Sequence, residues 1–230
     1  RKLTKLDASG NTVQWGLSTM DSYWLMTAFA VNNGADLIDY SSNPPKFNMD
    51  SPKSLAGLEV FNKMLNTDKT IYLRPAGGDW KVTVDAFANG KVGLFRAEEW
   101  VIEYIRDVMT ENGTNEDYGL TYFPQGPDST GFVDESYGGN SYFIPASISN
   151  EKAQAALLVY RDLMDPSDDG YTKEERVRNT GESLFPDEAS VEVYTDLMFN
   201  NKIKSNGVCR VGLRAVSYTH LRAHETSAHL

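Results

Sequence analysis

Histidine is nearly missing from this chain of 230 residues, and the three present, His220, His224 and His229, all lie in its last stretch. Residues 1–215 therefore contain no imidazole, and their single cysteine is Cys209. Histidine ionises nearest neutrality and is the commonest zinc ligand, so its absence closes most routes to proton transfer, nucleophile activation and zinc chemistry at pH 7. One cysteine cannot form an internal disulfide. No run of about 18 apolar residues occurs, which excludes a membrane-spanning helix. Cations are scarce as well: 22 Lys and Arg stand against 32 Asp and Glu, a net charge of −10. Such an acidic body lacks the broad basic surface that nucleic acid or an anionic membrane requires, and neither is expected as a partner. Gly77-Gly78 is not followed by the Gly-Lys-Ser/Thr that completes a phosphate loop. Residues 165–169, though acidic, lack the twelve-residue loop and closing Glu of a calcium site. No cofactor and no metal is expected.

The histidine-bearing end is itself foreign in character. Residues 216–226 (VSYTHLRAHET) resemble one reading frame of a transposase adapter used in sequencing libraries. Residues 216–230 are accordingly read as a non-native tail and left out of fold reasoning. The tail carries one Arg and one Glu, so the remaining body keeps the charge of −10.

What is present is an ordinary globular composition, 40% apolar and 11% aromatic, long enough for one large domain or two small lobes. Residues 7–11 (DASGN) make a turn, and residues 13–17 a short strand with Trp15 in the core. Residues 21–33 carry apolar side chains at helical spacing and stop at Asn32-Asn33-Gly34. Ser51-Pro52 is a strong helix start, with Leu55, Leu58, Phe61 and Leu65 following on one face. Helices are expected over residues 81–88, 98–110, 151–164, 172–179 and 187–200. Strands are expected over 91–95, 118–123 and 140–144. Short strands alternating with longer helices predict an α/β fold with helix-covered sheets.

The most specific stretch is residues 85–100, DAFANGKVGLFRAEEW: a helix, an Asn-Gly-Lys turn, a buried strand, and a tryptophan opening the next helix. With Trp24 through Leu37, Asp50-Ser51-Pro52 and its helix, and Gly138-Gly139 through Pro145, this series resembles the extracellular solute-binding proteins of ABC importers, in the family that mostly carries sugars. The resemblance spans about residues 5–164. It implies a two-lobed α/β fold of the periplasmic-binding-protein type, here truncated at both ends. Residues 1–14 would close the first lobe and cross the hinge, 15–136 would form the second lobe, and 137–215 would return to the first as helices. The implied protein is a monomer on the outer side of a bacterial membrane or in the periplasm, lipid-anchored when full length. It would close its lobes on a small-molecule ligand and hand it to a membrane permease.

The aromatics suit such a ligand. Sugar rings pack their C–H faces on aromatic rings, while their hydroxyls need polar partners. By the resemblance Trp24, Trp80 and Trp100 fall where stacking rings are found. Their polar neighbours Asp21, Ser22, Tyr23, Asp79, Glu98 and Glu99, with Tyr137, Gly139 and Asn140 near a hinge crossing, complete the candidate set. Two alternatives remain at this point. One is a carbohydrate hydrolase using paired carboxylates, although Glu98 and Glu99 diverge by about 100° on a helix. The other is the same fold holding a peptide or another small polar solute.

Overall fold

The computed structural model describes residues 2–114, 118–131, 134–136, 143–164, 170–199 and 203–205. In chain order its elements are β1 (Lys5–Leu6), β2 (Thr12–Gln14), β3 (Leu17–Thr19), α1 (Ser22–Asn32), β4 (Ile38–Asp39), β5 (Lys46–Phe47) and α2 (Pro52–Asn62), the last extended by a π turn at Lys63–Thr67. Then come β6 (Ile71–Tyr72), α3 (Lys81–Ala88), β7 (Phe95–Arg96), α4 (Glu99–Glu111), β8 (Asp134–Ser136), α5 (Asn150–Met164), α6 (Lys173–Leu184), α7 (Glu188–Phe199) and β9 (Ile203–Ser205).

At the centre is a parallel sheet of order β6-β3-β7. Leu17 pairs with Ile71, and Ser18 with both Tyr72 and Phe95. Parallel neighbours need crossovers, and α1 with α2, then α3, supply them. Helix α1 starts where the sequence places it: the Asp21 carboxylate accepts the Tyr23 N–H at 3.1 Å, satisfying a free donor of the first turn. It is buried on nearly every side, because α2 covers one flank while α3 and α4 cover another. Met20, Trp24, Val84, Val101, Ile105 and Met109 form the core between α1, α3 and α4. A second cluster joins Ile102 of α4 to Leu184, Phe185, Val191 and Tyr194 of the α6–α7 pair. Helix α6 opens with a full capping box, Thr172 and Glu175 each satisfying the other's backbone N–H.

Several expectations are corrected. Leu55 is 48% exposed; the inward face of α2 is Ser54, Gly57, Leu58 and Phe61 instead. Gly57 sets this rotation, since a Cβ there would stand 2.4 Å from the Phe29 carbonyl oxygen, so only glycine allows α1 and α2 to approach this closely. Residues 118–123 pair with no strand among the described residues. Within this run the Leu120 N–H is met by a side chain, the Ser190 hydroxyl, at 2.8 Å. Trp15 lies between β2 and β3 rather than in a strand interior; it bridges Val92 and packs its half-buried ring on Tyr72 at 4.8 Å. The strand expected over 91–95 is realised at Phe95–Arg96. Of the one expected over 140–144, residues 140–142 lie outside the described residues, and Phe143 is 87% exposed with no strand partner.

Candidate functional site

In a parallel α/β sheet each strand runs into a helix whose N-terminus lies at the strand's C-terminal edge, which is where such sheets hold their ligands. Here β3 runs into α1 and β7 into α4. Helix α3 leads into β7, so it begins at that same edge. Nine of the twelve candidate residues sit at these three helix starts: Asp21 to Trp24 at α1, Asp79 and Trp80 at α3, Glu98 to Trp100 at α4. The other three, Tyr137, Gly139 and Asn140, lie outside the described residues.

The starts of α3 and α4 meet through their tryptophans. The Trp80 and Trp100 rings stand edge to face, centroids 5.2 Å apart, and Trp80 meets Tyr104 the same way at 5.3 Å. Tyr104 is one helical turn after Trp100, so both rings project from one face of α4 toward Trp80. Trp100 is 55% exposed, and its indole N–H donates to a Glu98 carboxylate oxygen at 2.5 Å, which fixes the ring's orientation. Trp80 is half-buried and packs against the core that holds Trp24.

Trp24 itself, expected as a stacking platform, is only 7% exposed and sits inside that core. The reason is geometric: it falls in the first turn of a helix covered on both flanks. Tyr23 is half-buried against the same core, and Ser22 is exposed. Asp21 caps α1 and faces the Arg74 guanidinium at 3.7 Å. Asp79, one residue before the N-cap of α3, accepts the Lys81 backbone N–H at 2.8 Å. Glu99 points away from the rings and accepts the buried Tyr194 hydroxyl at 2.8 Å, tying α4 to α7. Burial, and then the donated bond to Glu99, push the Tyr194 hydroxyl well above the ordinary tyrosine range.

Three residues of this edge were not singled out from sequence. Tyr104 donates to Asp85 at 2.9 Å; burial first, and this bond second, push its pKa up to about 12. Lys81 holds its ammonium 5.1 Å from the Tyr104 ring centre and 5.7 Å from that of Trp80. Arg74 faces Asp21. The spacing of Trp100 and Tyr104, four apart on a helix, is the signal that could have found the first of them.

A cavity of about 1150 Å³ lies elsewhere, walled by Leu17, Phe29, Phe95, Ile105 and Phe123 among others, and none of the twelve candidates lines it. Its wall is mostly apolar, with Asn32, Asn33, Arg96 and Gln125 among its polar members.

The sequence profile of the bacterial extracellular solute-binding proteins matches residues 1–160. The chain belongs to that family, the solute-binding components of ABC importers, whose members share the two-lobed periplasmic-binding-protein-like fold. It is a family of binding proteins rather than of enzymes, working outside the cell membrane or in the periplasm. No match was found among curated proteins or among solved structures. No helix among the described residues is long and apolar enough to cross a membrane.

Proposed function

We propose that this protein captures a sugar or oligosaccharide and delivers it to an ABC permease in the membrane. The observation that carries the reading is the Trp80–Trp100–Tyr104 ring group at the C-terminal edge of the parallel sheet, with half of Trp100 open to solvent. An exposed indole held by its own hydrogen bond is an apolar plate of fixed orientation, suited to the C–H face of a pyranose. Carboxylates beside it, Asp79 and Asp85, keep lone pairs for sugar hydroxyls after meeting the protein donors described above. Trp24 and Tyr23 belong to the core on which Trp80 and Tyr104 pack, while Asp21 and Ser22 stand at the start of α1. Tyr137, Gly139 and Asn140 would contribute from the hinge, and the first lobe would close over the ligand held on the second. The working form is a lipid-anchored monomer.

The experiment is a tryptophan-fluorescence and calorimetric titration against a saccharide panel and a peptide panel, with product analysis alongside. Saturable saccharide binding without turnover supports the reading. Saturable binding of peptides alone, or glycosidic cleavage that a single carboxylate substitution abolishes, would overturn it.

A further inference from the structure

Resting on the saccharide reading, we infer that the solute is an acidic sugar, a pyranose carrying a carboxylate such as a uronic acid, and that Lys81 recognises its charge. The charges around the ring group are unevenly satisfied. Each nearby carboxylate already holds a donor: Asp79 the Lys81 N–H at 2.8 Å, Asp85 the Tyr104 hydroxyl at 2.9 Å, Glu98 the Trp100 indole at 2.5 Å. The Lys81 ammonium, by contrast, has no carboxylate oxygen within 4.0 Å among the described residues. It rests only on the faces of Tyr104 and Trp80, at 5.1 and 5.7 Å. Arg74, at the other end of the same β6–α3 connection, has one long ion pair, 3.7 Å to Asp21.

A cation seated on ring faces keeps its N–H groups available, because the attraction comes from the rings' electrostatics and uses no hydrogen-bond acceptor. A neutral sugar stacked on Trp100 would leave this ammonium unmatched, and a cationic solute would be repelled by it. A uronate meets both features at once, its C–H face on the indole and its carboxylate on the lysine in a charge-assisted hydrogen bond. Asp79, Asp85 and Glu98 oppose any anion, so the preference for an acidic sugar depends on Lys81. Without that residue it should vanish or invert.

The test titrates the whole chain, at low ionic strength, with galacturonate and trigalacturonate against galactose and galactotriose. The acidic member of each pair should bind roughly tenfold or more tightly, and the gap should narrow as salt is raised. K81M should bind acidic and neutral sugars alike, its retained neutral binding showing that it folds, and K81R should keep the preference. Equal binding of both classes by the native chain, or a preference that survives in K81M, would overturn the assignment while leaving the saccharide reading intact. Binding of neither class would overturn both.

Discussion

Trp80 and Trp100 open two different helices, yet their rings meet edge to face at 5.2 Å. That contact joins α3 to α4 at the edge where β3 and β7 end. It also divides the tryptophans by role: Trp24 beneath as core, Trp80 between, and Trp100 at the surface.

This division separates stability from binding. Trp24→Ala should cost about 3–5 kcal/mol of folding stability, because it empties a large volume among Met20, Val84 and Val101. Trp100→Ala should cost only about 0.5–1.5 kcal/mol, the worth of its edge-to-face contact with Trp80. Urea denaturation followed by circular dichroism measures both, and equal losses would contradict the assignment of roles.

Gly57→Ala should destabilise by about 1–3 kcal/mol, since the added carbon meets the Phe29 carbonyl, which is backbone and cannot rotate away. A thermal melt reads this directly. An unchanged melting temperature would mean that α1 and α2 do not cross here.

Tyr104 should ionise late. Its folded pKa is raised to about 12, against an ordinary value of 10. The neutral ring is the form the fold favours, so the stability it contributes is complete below pH 10 and is lost as pH rises from 10 through 12. A difference titration at 295 nm between the native chain and Tyr104→Phe isolates this group. A midpoint near 10 would remove the bond to Asp85 from the account.

Ser190→Ala should cost about 1–2 kcal/mol, because it leaves the Leu120 N–H without the acceptor now at 2.8 Å. The same hydroxyl donates to Asp187 at 2.6 Å and holds that carboxyl below its ordinary range. A depressed carboxylate adds stability above its unfolded pKa and loses it as pH falls through the folded one. The variant should therefore show a shallower loss of stability on acidification, measured by denaturation at a series of acidic pH values.

The helices were legible in sequence because their signals are local. Asp21 and Ser51-Pro52 mark starts that the structure uses, and Asn32-Asn33-Gly34 marks a stop. Burial was less legible, because it is set by neighbours remote in sequence. Nothing near Leu55 announces that Gly57 will be pressed onto Phe29, which rotates the leucine outward. Nor does the first turn of α1 announce that α3 and α4 will cover Trp24. The strand pattern at 118–123 finds no strand partner among the described residues; the Leu120 N–H is met instead by the Ser190 hydroxyl, seventy residues on. For the site, the helix starts were readable one by one; that three of them share an edge follows only from the sheet order.

The most direct measurement is the affinity of Trp100→Ala for the saccharide the native chain binds, beside Trp24→Phe as a core control that keeps a large ring. The account predicts a loss of about 1–3 kcal/mol in Trp100→Ala, roughly fivefold to more than a hundredfold in Kd, in a protein that still folds. Native affinity in a folded Trp100→Ala protein would contradict it.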